Sequence, residues 1–416
     1  MFKLRRLWYI LFMTEVKIFF VTQGTVTSPA GFLAGATCAG LKKLDAADLG
    51  ILYSEAPCTA MGMFTASRIK AAPVTVTQKR LPSETIRAVV VNSGCANASV
   101  GEPGLKDAVR MAELAADKMG VAAESVLVAS TGVIGKRLPL ELIEVAIGQI
   151  SISEEGGHEL ARAIMTTDTI PKEAAVTVRS GDGRFTIGGI AKGSGMIHPD
   201  LATLLCFLTT DAAVTTDFLE RALRNAVAAS FNMVSIDGDT SPNDMALIMA
   251  NGRAGNEPIA EGSSLAGDFQ EALSRLCTYL AKGIARDGEG ASKLIAVTVS
   301  GALSTGEAKL AARTIAGSSL VKTAVHGNDP NWGRVIAALG RSGAEVVEAK
   351  IDLYIGDTCL VKAGQPLAFD DQEVIRVLSS DEVPISLALN LGKASATAWG
   401  CDLSEEYVTI NSDYTT

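Results

Sequence analysis

The chain has 416 residues, 48% of them hydrophobic and 20% charged, with a net charge of −9. That length can bury a large core and normally divides into two or three domains. The acidic balance and scattered Lys and Arg argue against a nucleic-acid partner, which requires clustered basic side chains.

In chain order, Lys3, Arg5 and Arg6 precede the apolar run from Leu7 to Met13, and Ile18 to Val21 is apolar again. Glu15 and Lys17 interrupt this stretch, so it is too short to span a membrane, and no small-residue cleavage site follows it closely. Residues 1–23 read as a leader of doubtful status, with Met13 as an alternative start. Ile86 to Asn92 is a β-branched run closed by Ser93-Gly94 and reads as a buried strand. Leu105 to Met119 has helical spacing with Gly120 as its C-terminal cap. Val126 to Ala129 predicts a short strand running into Thr131-Gly132. Helical patterns follow at Leu140 to Ile150, Glu155 to Met165, Phe218 to Phe231 with Thr216 as N-cap, and Leu265 to Ala285. Leu294 to Ser300 and Val346 to Ile355 alternate as half-buried strands do. The mixture predicts an α/β fold of layered sheets and helices, with aromatics at 5% and 40 glycines favouring tight packing.

Seven cysteines without a C-x-x-C pair read as free thiols of a reducing cytoplasm. The three histidines, His158, His198 and His326, have no metal-ligand spacing, so no metal is expected.

Several stretches can carry chemistry. Gly188 to Ala212 (GGIAKGSGMIHPDLATLLCFLTTDA) is a glycine-rich turn holding Lys192 and leading to an apolar run broken by Thr203. A hydroxyl nucleophile needs a base. If the Ala202–Thr203 peptide bond breaks, the freed α-amine, with a pKa of roughly 8, can take the Thr203 hydroxyl proton. Attack of that hydroxyl on the Ala202 carbonyl, an N-to-O acyl shift and hydrolysis would make the cut. The same spacing also suits a glycine turn feeding a core strand. Ser130 to Gly135 (STGVIG) can aim backbone amides and the Thr131 hydroxyl at an oxyanion, or be an ordinary strand-to-helix turn. Glu289 lies between two glycines, exposed on a turn, where it could hold an ammonium or simply be solvated. Asp237-Gly238-Asp239-Thr240 with Asn243-Asp244 reads as turn chemistry, since the bidentate Glu of a calcium loop is missing. His198, shortly before Thr203, reads as a surface turn residue that could also influence a cut.

Together these stretches resemble the ornithine acetyltransferases, or glutamate N-acetyltransferases, of arginine biosynthesis. The likeness runs from about Gly24 to Thr416. It rests on an ordered set: VNSGCANA (91–98), STGVIG (130–135), MTTDT (165–169), AKGSGM (191–196), LATLLCFLTTDA (201–212), DGDTSPND (237–244), RDGEGASK (286–293) and DPNWGR (329–334).

The resemblance implies an α/β layered fold shared with certain self-processing aminopeptidases. It implies a cut between Ala202 and Thr203, giving an alpha chain 24–202 and a beta chain 203–416 in one compact body. Thr203 matches the nucleophile, and Thr131 with Gly132 the oxyanion stabilisers. Thr169 best matches a substrate-binding threonine, with Thr166 as the second choice, and Lys192, Thr203, Glu289, Asn411 and Thr416 match the other substrate contacts. The implied reaction is ping-pong transfer of acetyl from N-acetylornithine to glutamate without cofactor or metal, and some members also take acetyl from acetyl-coenzyme A. The implied assembly is at least α2β2, with small amino acids as substrates and cytoplasmic placement. Departures are Cys95, where the family often has Asn, the His198-Pro199-Asp200 approach to the cut, and the lack of Arg before the final Thr. A self-processing hydrolase of the same fold is the alternative, separable by whether transfer needs glutamate.

Overall fold

The structure, a computed structural model, describes residues 17–42, 46–181, 183–198 and 204–413. Ala202, Thr203 and Thr416 lie outside these residues. Two sheets organise the chain. The nine-stranded sheet runs, edge to edge, Lys17–Phe20, Lys172–Ser180, Gly183–Lys192, Leu205–Thr210, Met245–Ala250, Leu49–Phe64, Ser83–Asn92 and Val126–Ser130, with Phe32–Thr37 added along Leu49–Phe64. The seven-stranded sheet runs Gln365–Pro366, Thr358–Lys362, Asp352–Ile355, Glu382–Ala388, Leu294–Ala302, Ala394–Cys401 and Val234–Ser235.

Helix Ala266–Arg286 lies between the sheets and packs on both. Its apolar stripe Phe269, Leu273, Leu276, Leu280 and Ile284 is fully buried, as a helix facing two layers requires. Helices Ala72–Arg80, Gly101–Met119, Leu140–Gln149 and Gly157–Ala163 pack on the nine-stranded sheet, and Gly101–Met119 also packs on Ala72–Arg80 and Leu140–Gln149. The first sheet is therefore covered on both faces. Its central strand Leu205–Thr210 shows why: Cys206 and Leu208 join one core, Leu205 and Phe207 another. Alternate residues point to opposite faces, so a strand buried on both reads as a continuous apolar run.

The architecture is the layered α/β one expected. Helix Gly101–Met119 ends on Gly120 in the left-handed conformation (φ 65°), its amide bonded to Ala116 and Asp117 carbonyls. Two local expectations change. Helix Thr216–Ala229 is flanked by Thr215 at the N-cap position, while the Thr216 hydroxyl donates to Glu84 instead. Val346 to Ile355 is not one strand: a 3₁₀ turn fills Glu348–Lys350 and only Asp352–Ile355 is extended. Lys17–Phe20, inside the range read as a leader, is the edge strand paired with Val176–Arg179, with Arg179 over the Phe19 ring. The seven cysteines are free. No helix among the described residues is long and apolar enough to cross a membrane.

Candidate active site

The ends of several strands converge on one small cleft, about 110 Å³ in volume. Leu49–Phe64 is long, and register shifts at Tyr53, Cys58 and Ala60 mark irregularities of the kind that bend a strand. Asn243, just before the strand Met245–Ala250, donates through Nδ2 to the carbonyls of Ala96 (2.6 Å) and Ser130 (2.8 Å). It thereby ties three separate motifs at the cleft wall.

Thr131 follows directly on the strand Val126–Ser130. Its amide is spent on the Asn92 carbonyl (3.0 Å), so its hydroxyl is the group it offers. Among the described residues no such partner takes the Gly132 amide. The VNSGCANA loop grips this turn: Ala96 N donates to Val133 O (3.0 Å) and Val133 N to Gly94 O (3.3 Å). Gly132 has φ +122°, and a Cβ there would meet Gly94 C at 2.4 Å, so only glycine fits. Cys95 is buried and its thiol is pushed up by that burial.

Lys192 ends the strand Gly183–Lys192, buried, and its Nζ donates to Thr131 Oγ1 at 3.2 Å. Burial lowers its pKa, against the pull of Asp168 and Asp244. Lys192 pairs in register with Leu205, and Leu204, the residue that follows Thr203 in the chain, lines the cleft.

Glu289 is half-buried rather than exposed on a flexible turn. Its amide donates to Ser194 O (2.8 Å), and its Oε2 accepts from Asn411 Nδ2 (2.8 Å) on the helix Glu405–Asp413. Gly195 makes room for it: a Cβ at 195 would lie 2.4 Å from the Glu289 carboxyl carbon. The structure therefore brings together Thr131, Gly132, Lys192, Glu289 and Asn411.

Thr169 stands apart. Its amide and hydroxyl both bond Asp287, and it borders a different groove, whereas Thr166 and Thr167 line the cleft. Behind them lies an ion network. Lys172 Nζ reaches Asp168 Oδ1 and Asp287 Oδ2, each at 2.5 Å and all buried. Asp168 also accepts from Thr166 N and Gly193 N. Burial alone would raise the Asp168 carboxyl, but Lys192 and Lys172 outweigh it and hold it at about 2. The network fastens the MTTDT, AKGSGM and RDGEGASK loops together.

Asp237 fixes the backbone after the glycine turn, accepting from Met196 N (2.5 Å) and Ile197 N (2.9 Å). His198 is not a bare surface residue: its Nδ1 is 3.0 Å from Ser235 Oγ and its carbonyl accepts from Thr240. No cluster among the described residues could hold a metal ion.

Fold and site together define a layered α/β enzyme whose small cleft is lined by the Thr131-Gly132 turn, the Lys192 ammonium and the Glu289 carboxylate. The chain belongs to the ArgJ family, whose model matches residues 33–416. It is 51% identical over 396 residues to the arginine biosynthesis bifunctional protein ArgJ of Dehalococcoides mccartyi, covering 95% of this chain and 98% of that one. The protein of the same name from Symbiobacterium thermophilum is also 51% identical, over 94% of this chain and 99% of that one. Among solved structures, one chain of the ArgJ protein of Bacillus halodurans is 45% identical with a TM-score of 0.49, covering 50% of this chain and 97% of that one.

Proposed function

We propose that this chain is a self-cleaving acetyltransferase of arginine biosynthesis, moving acetyl from N-acetylornithine to glutamate through an acetyl ester on Thr203. Membership of the ArgJ family supports the reaction class. The observation that carries the site is the meeting of the Lys192 ammonium with the Thr131 hydroxyl, beside Leu204 and facing Glu289.

The roles follow from chemistry. Cleavage before Thr203 frees an α-amine that takes the hydroxyl proton as Oγ attacks the acetyl carbonyl. The Gly132 amide and Thr131 hydroxyl stabilise the developing oxyanion, with Lys192 polarising that hydroxyl. Glu289, positioned by Asn411, receives the ammonium of the amino-acid substrate, and Lys192 is within reach of its carboxylate. Thr166 replaces Thr169 as the threonine best placed to touch substrate. The C–N bond to ornithine breaks as its nitrogen takes the proton held by the Thr203 α-amine, and ornithine leaves. The glutamate amine then attacks the acetyl ester, its proton returns to Oγ, and N-acetylglutamate leaves. No cofactor enters this sequence; acetyl-coenzyme A is a second donor to be tested.

Cleavage would not separate the two pieces. Gly183–Lys192, before the cut, pairs with Leu205–Thr210, after it, and Leu49–Phe64 pairs with Met245–Ala250. An alpha–beta unit, doubled to α2β2 in a cytoplasmic enzyme, is the assembly that fits.

The test uses purified full-length protein. Wild type should run as two pieces on a denaturing gel, the larger one beginning at Thr203, and Thr203→Ala as one inactive chain. Intact wild type with full activity would overturn the nucleophile. Cleaved protein given N-acetylornithine should transfer to glutamate, and acetate released equally without glutamate would make it a hydrolase instead. The same assay with acetyl-coenzyme A decides the donor range.

A further inference from the structure

The cleft holds one acidic group that the roles above do not use. Asp244 is 4% exposed, lines the cleft, and its Oδ2 has no hydrogen-bond partner among the described residues. A buried carboxyl oxygen without a partner is costly and calls for an explanation. Its place in the chain is also informative. Asp244 immediately precedes Met245, whose amide donates to Leu204 O at 2.8 Å. Leu204 is bonded to Thr203, and consecutive Cα atoms across a trans peptide are about 3.8 Å apart. Asp244 and Leu204, the first described residue after the proposed cut, thus line the same cleft. Burial raises its carboxyl well above the ordinary range, against the pull of Lys192 and of hydrogen bonds from Ser241. Lys192 and Glu289 are the other charged groups lining the cleft.

This bears on a gap in self-processing. The transfer reaction has the Thr203 α-amine as its base, but in the uncut chain that nitrogen is an amide and cannot serve. We propose that Asp244 is the proton-transfer group of the self-cleavage step. This role rests on the self-cleavage reading above. As Thr203 Oγ bonds to the Ala202 carbonyl carbon, its proton passes to one Asp244 oxygen. Asp244 delivers a proton to the Thr203 nitrogen as the C–N bond breaks, leaving an ester and a free amine. Water then adds to the ester carbonyl, the C–Oγ bond breaks, one water proton goes to Oγ and the other to the freed α-amine, and the Ala202 carboxylate is released. The Asp244 carboxyl ends as it began.

The experiment follows cleavage of the full chain after cell-free synthesis, by denaturing gel over time. Asp244→Asn keeps the shape of the side chain but cannot relay a proton. It should cut about a hundredfold more slowly than wild type while melting no earlier. Asp244→Glu should recover measurable cutting. Should Asn not fold, Asp244→Ala supplies the second arm, with millimolar formate expected to restore cleavage. Asp244→Asn cutting at the wild-type rate overturns the role, as does a folded Asp244→Glu that stays whole together with Asp244→Ala that formate fails to rescue. A wild-type chain that stays whole sinks the self-cleavage reading itself. Wild type that cuts beside an equally fast Asp244→Asn sinks this role alone.

Discussion

The Glu289 carboxylate occupies the space a side chain at residue 195 would fill: a Cβ on Gly195 would lie 2.4 Å from its carboxyl carbon and 2.5 Å from Oε1. The clash is with the movable end of a side chain, so Gly195→Ala should leave the fold intact and swing Glu289 away from Asn411. A lost charge-assisted contact is worth about 1.5–3 kcal/mol, or roughly 10- to 100-fold. Gly195→Ala should lower kcat/KM for glutamate by that factor with little change in melting temperature. An unchanged kcat/KM would remove Glu289 from substrate binding.

Thr166 and Thr169 should separate cleanly. The Thr169 hydroxyl is bonded to the buried Asp287, so Thr169→Val should cost about 1.5–3 kcal/mol in urea unfolding. Thr166 lines the cleft, and Thr166→Val should raise KM while leaving the unfolding midpoint nearly unchanged. The reverse pattern would restore Thr169 as the substrate contact.

That pair also shows where sequence reading stops. Local patterns located the strand Ser83–Asn92 and the helices Gly101–Met119 and Ala266–Arg286 to within a few residues, because apolar period and glycine caps are written in neighbouring positions. Thr166 and Thr169 share one short motif, and their difference is set by Asp287, more than a hundred residues away. Asp244 sits among Asp, Gly, Ser and Asn, a composition that reads as a turn. Its burial comes from the neighbouring Leu205–Thr210 strand and from Asn243 bridging two other loops. Lys172 gave no signal, since an isolated lysine at a strand start looks solvated until both its carboxylates are in place.

Lys172 is the cation for two buried carboxylates. Removing one partner of a buried ion pair strands the other and costs about 3–5 kcal/mol. Lys172→Met should lower the stability of the chain by that amount in urea unfolding and loosen the three loops it joins. A loss under about 1 kcal/mol would mean water replaces the ammonium there.

The same network sets an acid limit. The Asp168 carboxyl lies at about 2 when folded, below its ordinary 3.8. A depressed acid contributes stability above its unfolded pKa, and that contribution disappears as pH falls through the folded one. Asp168 should therefore supply on the order of 2 kcal/mol at neutral pH, lost between about pH 4 and pH 2. Thermal melts of Asp168→Asn over that window should show a shallower acid limb than wild type. Parallel limbs would place the acid sensitivity elsewhere.

Gly132 tests the oxyanion turn against plain backbone strain. A Cβ at 132 would meet Gly94 C at 2.4 Å and Cys95 N at 2.7 Å, and backbone atoms held by the Ala96–Val133 bond cannot step aside. Gly132→Ala should push the Thr131-Gly132 turn off its loop and misplace the amide proposed to stabilise the acetyl oxyanion. Losing one such donor lowers kcat by about 10²–10³. Gly135 is the control within the same motif. It also has positive φ, +81°, but a Cβ there meets nothing within 4 Å, and it does not line the cleft. Gly135→Ala should cost about 1–2 kcal/mol of backbone strain and leave kcat within about twofold of wild type. If both variants lose kcat equally, the effect is loop strain rather than a displaced oxyanion donor. If only Gly132→Ala does, the amide of residue 132 carries the transition-state contact.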